Sequence, residues 1–590
     1  MLRLTLAVAM VLGLGGCLGS EEPVCVSEDA VSSAFTLSGT VHYGYVSSSL
    51  TSGKGVLNFS SSDLRPSRRI VVQAVDNCDR AVAETITDDQ GFYKLSVPGN
   101  RVRVRAVSRL YTSNFSARPS DGTSFTTACS GAASWEFNVV DNTSSQSLYA
   151  YRSASTYTAS SSSADLDIPL SYNTSSGHYE DRTAAPFAIA DTIVDSLEKV
   201  CRAAPATKFP QLMVNWSTRN QPTSGDKSSG SIGTSHFTIE EGVPQLYILG
   251  KEDVDTDEYD THVVAHEFGH YLEYSLYRSD TLGGSHSLYD RLDPRVAFGE
   301  GYGNAFSAIA TGDPIYVDSM GLDQQDGDAM NISTSPKGAS YNGIHNEKSI
   351  QYFLWRLYLN KGDFTRIHQV LKNFQSTSVA FTTLLTFAAY YNAQFGGASE
   401  SLRTLWETEL ETPYHALCAA STCAGSGDVA DPLDGKQLIG AAYSSVRTYG
   451  GSTRAAGFWN LYKPLTLNVP HVADAHDVID SGGSSYPYNK FGFVRWYAYK
   501  HVASSGSVLV SVSNLDSGGK SCTARDWLDL YVFGSVGSAQ GQGLIAEDER
   551  STGCPSASFY AEQGKTYVIT VNGQVASGGN ISSYNINVTR

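Results

Sequence analysis

His266-Glu267-Phe268-Gly269-His270 is the segment of this 590-residue chain whose residue types and spacing point most directly to chemistry. On a helix, positions i and i+4 project from one face, so both imidazoles can reach a single metal ion while Glu267 sits beside them as a base. Composition alone would produce H-E-x-x-H in a chain this long with a probability on the order of 1–2%, so the motif favours zinc over coincidence. Val263, Val264, Phe268 and Leu272, and the absence of proline from Asp253 through Asp293, are compatible with that helix.

Two histidines leave a zinc ion short of ligands. The metzincin pattern would need glycine at 273 and histidine at 276, but the chain has Glu273 and Leu276, which excludes it. A second segment, Phe298-Gly-Glu-Gly-Tyr-Gly-Asn304, offers Glu300. Together the two motifs resemble the gluzincins, the thermolysin-like zinc peptidases, in which a glutamate on a second helix completes a two-His, one-Glu site. The resemblance is confined to these motifs and their helices, with a longer gap between them than in thermolysin. It implies His266, His270 and Glu300 as zinc ligands and Glu267 as the catalytic carboxylate. Where the family pattern has an aspartate that orients a ligand histidine, this chain has Asn304, which can accept an imidazole N–H but brings no charge. His286 and Glu273 stay open as alternative third ligands.

The ligand set implies a mechanism. Zinc with three protein ligands keeps a position for water and lowers its pKa towards ~7, while Glu267 takes the proton and later passes it to the leaving amine. The oxyanion needs a donor, for which His345, Tyr341, Tyr289 and Tyr277 are candidates. Gln245 to Leu249 could be the edge strand that aligns a peptide, or an ordinary internal strand. Asp253, Asp255, Asp257, Glu258 and Asp260 crowd the start of the zinc helix, where carboxylates favour the positive helix end; a Ca2+ site is the alternative. Asp323, Asp326 and Asp328 do not match a calcium loop and are expected in a solvated turn.

These residues need elements to hold them. Helical spacing of Ile193, Val194, Leu197, Val200 and Cys201 after Pro186 starts a unit in which strands at Leu212–Trp216 and Gln245–Leu249 precede helices, an α+β order. Ile350, Phe353, Leu354, Leu357 and Tyr358 form a further helical stripe, expected in the core. Before this unit, alternating strands at 69–75, 92–97 and 101–107, with the turn Asp88–Gly91, resemble carboxypeptidase regulatory-like (transthyretin-like) β-sandwiches. After it, Trp527–Phe533 and Lys565–Val571 resemble strands of the bacterial pre-peptidase C-terminal domain. The expected fold class is therefore multidomain, an α+β zincin-type catalytic domain flanked by two all-β sandwiches. The expected divisions are a signal peptide (1–16), a tether (17–34), the first sandwich (35–150), a Ser/Thr-rich linker (151–179), the metallopeptidase domain (180–420), a linker (421–457) and the last sandwich (458–590).

Composition bounds the setting. With 42 basic and 59 acidic residues the net charge is −17, and no long basic run is present, which argues against nucleic acid. Arg3 and the apolar run Leu4–Leu14 fit a signal peptide, and Leu14-Gly15-Gly16-Cys17 resembles the lipobox of bacterial lipoproteins, with Leu18 favouring the outer membrane. Of nine cysteines, lipidation of Cys17 leaves eight for disulfides, with Cys522–Cys554 and Cys418–Cys423 as local candidates. The overall expectation is a monomeric, lipid-anchored endopeptidase that uses Zn2+ and acts on protein or peptide substrates. The rival is a surface adhesion or binding lipoprotein with a structural or inactive zinc site. Cys17→Ala is predicted to abolish incorporation of radiolabelled palmitate in the bacterial host and to move the protein from the membrane fraction to the soluble one.

Overall fold

The computed structural model describes residues 34–98, 101–112, 128–161, 163–361, 364–395, 402, 404–410, 438–439, 459–460, 462–474, 489–490, 494–514, 526–534, 543–549, 554–575 and 583–590. The signal segment, Cys17, the tether and the cysteines at 25, 418, 423 and 522 lie outside them. No helix among the described residues is long and apolar enough to cross a membrane.

Alternating apolar residues build the first β unit. The long strand Phe35–Thr51 pairs with Lys54–Pro66, Phe92–Val97 and Leu166–Ile168 in a four-stranded sheet. Leu37, Tyr43 and Leu95 from this sheet share one buried cluster with Val72 and Val104 from a second, larger sheet. The turn before Phe92 forms as its residues dictate, with Asp88 Oδ1 accepting from the N–H groups of Gln90 and Phe92, each at 2.9 Å.

The division expected near residue 150 is not a break in the sheet. Strand Glu136–Asp141 pairs in parallel with Leu212–Trp216, Phe137 facing Leu212 and Val140 facing Asn215. One mixed, nine-stranded sheet thus runs from the first β unit into the helical unit, ending at the strand His236–Glu240. The apolar cluster likewise extends without interruption from Phe35 to Leu410. Pairing satisfies an edge that would otherwise expose unpaired N–H and C=O groups, a benefit that strand periodicity cannot reveal. The stretch expected as a linker contributes strands as well, because Ala164, Leu166 and Ile168 are buried amid their polar neighbours. The disulfide Cys129–Cys201 ties the two parts together further. Cys78 and Cys554 are also disulfide-bonded.

Six α-helices are described: α1 (Ala185–Ala203), α2 (Thr261–Ser275), α3 (Pro294–Thr311), α4 (Glu347–Lys361), α5 (Thr365–Asn373) and α6 (Leu384–Phe395). α3 has clear boundaries: Asp293 Oδ1 accepts from Arg295 N, Pro294 occupies the first turn, and Gly312 closes the helix at φ 76°. Every residue from Pro294 to Ala310 is buried, so α3 runs through the interior with α2 on one side and α4 on the other. On α4, the stripe Ile350, Phe353, Leu354 and Leu357 is core.

Residues from Tyr462 onward form a five-stranded and a four-stranded sheet. Val508, Val510 and Val512 of one and Leu528, Leu530 and Val532 of the other pack inward at the two-residue period of a strand. This β-sandwich docks on the helical unit: Phe381 packs against Tyr462, Trp496 and Phe533, and its N–H donates to the Tyr462 hydroxyl at 2.8 Å.

Candidate metal centre

The two motifs meet where α2 crosses α3. A Cβ on Gly269 would stand 3.2 Å from Gly303 Cα, and one on Gly303 would stand 2.9 Å from the His266 ring. Gly301, on the opposite side of α3, would meet Ile350 Cβ at 2.5 Å and the Glu347 carbonyl oxygen at 2.9 Å. The alternation Gly-Glu-Gly-Tyr-Gly is therefore a packing requirement on both faces of the helix. It lets α3 approach α2 closely enough for Glu300 to reach the imidazoles.

The result is a converged donor set. His266 Nε2 and His270 Nε2 are 3.0 Å apart, and Glu300 Oε2 lies 3.4 Å from the first and 3.5 Å from the second. Ligand atoms about 2.0–2.1 Å from a tetrahedral ion stand roughly 3.3–3.4 Å apart, so these three atoms outline one face of a zinc tetrahedron. Each imidazole is oriented through its other nitrogen. His266 Nδ1 faces Asn304 Oδ1 at 2.8 Å, and His270 Nδ1 faces Glu273 Oε2 at 3.4 Å. Glu273 thus sits behind an imidazole rather than among the converging atoms. The Asn304 amide in turn donates to Glu347 Oε2 at 3.3 Å. One link further out, a carboxyl group on α4 thus backs the asparagine.

His286 approaches the same Glu300 oxygen. Its Nε2 is 3.3 Å from Glu300 Oε2 and 3.9 Å from Glu347 Oε2, so it groups with these two carboxylates and not with the α2 imidazoles. Burial opposes charge on His286, but Glu300 and Glu347 raise its pKa to about 10. Burial pushes the Glu300 carboxyl up; His286, His270 and His266 outweigh it and hold the group well below the usual carboxylate range. The loop bearing His286 is clamped by the C-terminal part of the chain. Asn489 Nδ2 donates to the carbonyls of Gly283 and Ser285, and Lys490 Nζ pairs with Asp290 at 2.9 Å.

The four oxyanion candidates lie in different settings. Tyr277 is buried and engaged with His368 Nδ1 at 2.8 Å, while Tyr289 is 64% exposed and packs edge-on against Tyr341. His345 is buried, and burial together with Arg291 pushes its pKa down to about 3, leaving a neutral ring. The group brought to His266 is instead Tyr316, its ring centroid 6.2 Å from the imidazole's. Burial, then Asp318 and Glu267, push the Tyr316 hydroxyl well above its usual value, so it stays protonated. No spacing rule pointed to Tyr316 or Glu347, and His286 stood out only as an alternative ligand. The strand Val243–Ile248 is internal; the sheet edge beside α2 is His236–Glu240.

The acidic run before α2 does not act as a cap. Asp260 occupies the N-cap position without a capping bond, and its Oδ2 accepts from Ser319 N and Oγ at 2.7 and 2.6 Å. Burial, with repulsion from neighbouring carboxylates, pushes Asp255 up to about 8, Asp318 (beside Asp328) to about 6, and Asp257 and Asp260 well above the usual range.

Comparison with known proteins adds context. Residues 210–406 match the model of the Mycolysin C-terminal domain, a span that contains both motifs, His286, Tyr316 and Glu347. This match gives the chain a peptidase context. No curated protein matches the chain. Among solved structures, the pre-peptidase C-terminal domain of collagenase from Bacillus anthracis is similar at 17% identity, covering 22% of this chain and 93% of that one, with a TM-score of 0.15.

Two variants separate crossing from orientation. Gly303→Ala is predicted to cost about 1–3 kcal/mol of stability by overpacking, read as a lower Tm. Asn304→Ala, which leaves His266 Nδ1 and Glu347 without a buried partner, is predicted to lower the metal-free Tm by a similar amount but, unlike Gly303→Ala at equal Tm, to weaken zinc about 10–100-fold in a chelator competition assay.

Proposed function

We propose that this chain is an exported, lipid-anchored, zinc-dependent endopeptidase that hydrolyses peptide bonds outside the cytoplasm. The observation that carries the reading is the set of tetrahedral edge distances among His266 Nε2, His270 Nε2 and Glu300 Oε2, with Glu267 close enough for its charge to act on His270. A donor set of two imidazoles and one carboxylate fits a catalytic zinc, which a purely structural site, usually closed by four protein ligands, does not resemble.

Zinc, when bound, supplies a Lewis acid that polarises the scissile carbonyl and lowers the pKa of an attacking water. Glu267 accepts the proton of that water and returns it to the leaving amine. Asn304, backed by Glu347, keeps His266 in the tautomer that presents Nε2, and Glu273 does the same for His270. Tyr316 and His286 are the donors available to the oxyanion as it develops. The outer edge of His236–Glu240 offers the backbone pairing by which an extended peptide adds to a sheet. The C-terminal sandwich, through Asn489 and Lys490, keeps the His286 loop in place.

The test is cleavage of casein and of a broad peptide library, with and without a chelator. Glu267→Gln is predicted to lower kcat by about 10²–10⁴-fold while zinc content stays at the wild-type level. Absence of any chelator-sensitive cleavage by the wild type would favour the adhesion or binding lipoprotein.

A further inference from the structure

His286 stands apart from the two α2 imidazoles, yet it is set up as a metal ligand would be. Its Nδ1 faces the carbonyl of Gly284 at 3.2 Å, so Nδ1 carries a proton and Nε2 is the nitrogen free to bind. Nε2 faces two carboxylates, with Glu300 Oε2 at 3.3 Å and Glu347 Oε2 at 3.9 Å. Ligand atoms of the three residues lie within 4.8 Å of one another.

The surroundings hold this group in place. Asn346, fully buried, donates to the carbonyls of Leu288 and Asp290 at 3.0 Å each, so the residue beside Glu347 fastens the loop that carries His286. Glu347 itself is only 2% exposed. Asn304 occupies its Oε2, and its Oε1 is buried without a hydrogen-bond partner. A buried carboxylate oxygen left unpaired is costly, and two carboxylates facing one imidazole call for a positive charge between them. A proton on His286 Nε2 meets that need in the metal-free chain; a divalent cation meets it for all three groups at once.

We propose that His286, Glu300 and Glu347 bind a second zinc ion, with Glu300 shared between the two sites. One imidazole and two carboxylates suit zinc, whereas calcium and magnesium prefer oxygen alone. Donors about 2.0–2.2 Å from one zinc ion stand roughly 3.3–3.6 Å apart, which the His286 and Glu300 atoms already do. The inference rests on the first zinc site, because Glu300 serves both ions. The second is the weaker of the two, since the first ion already claims Glu300 and the His286 side chain is 26% exposed on a loop. When filled, it pins that loop to α3 through Glu300 and to α4 through Glu347, in addition to the grip of Asn489 and Lys490.

Zinc counted by mass spectrometry in the full chain, first stripped with a chelator and then dialysed against rising free zinc, tests the site. The wild type is predicted to take up one tightly held zinc and then a second, weaker one. His286→Ala is predicted to keep the tight zinc and lose the weaker. If His286→Ala fails to fold, Glu347→Gln carries the prediction of losing the weaker zinc. A wild type that saturates at one zinc, or a folded His286→Ala that still takes up the second, would overturn the second site and leave the first standing. Loss of the tight zinc in folded His286→Ala would overturn both assignments.

Discussion

Two helices can share one metal site only if their axes approach closely, and here that approach depends on a pair of residues with no side chain. Gly269 on α2 and Gly303 on α3 lie against each other, and a methyl group on either would crowd Gly303 Cα or the His266 ring. From that contact the remaining geometry follows. His266 and His270 flank Gly269 on α2, and Glu300 and Asn304 flank Gly303 on α3, one turn apart. Glu300 faces the Nε2 atoms of both histidines while Asn304 faces the opposite nitrogen of His266. Gly301 lets α4 close on the other side of α3, which brings Glu347 behind Asn304.

The helices are held by structure on both sides. The nine-stranded sheet underlies α1 and α2 through Phe137, which packs edge-on against Phe268 and Tyr271. On the other side the C-terminal sandwich holds the loop from Gly283 to Asp290 and stacks Trp496 over Arg295 near the start of α3. The β-rich parts are thus continuous with the site's support, and the first of them shares its sheet. An accessory module joined only by a linker would make neither set of contacts.

What was legible in the sequence was local. The His266–His270 spacing identifies a helix face, and α2 spans both histidines. Strand periodicity located Leu212–Trp216 correctly, since alternation and turns are properties of neighbouring residues. Glu300 and Asn304 came from a resemblance of motifs, not from spacing. Pairing across long separations left no trace: Phe137 opposite Leu212, Tyr316 beside His266 and Glu347 behind Asn304 depend on how helices and strands pack. His345 entered as a candidate through its nearness in sequence to the motifs; burial and Arg291 push its pKa down to about 3, a property set by the packing. The carboxylates before α2 suggested a helix-end role because they precede a helix; the decisive fact, that Asp318 folds back among them, belongs to the tertiary structure.

The central claim is that one zinc ion sits between α2 and α3 on His266, His270 and Glu300. Anomalous diffraction at the zinc edge from crystals of zinc-loaded protein measures it directly. The account predicts one strong peak about 2.0–2.2 Å from Nε2 of both histidines and from a Glu300 carboxylate oxygen. A peak on His286 and Glu347 with His266 and His270 unliganded, or no peak between the two helices, would contradict it.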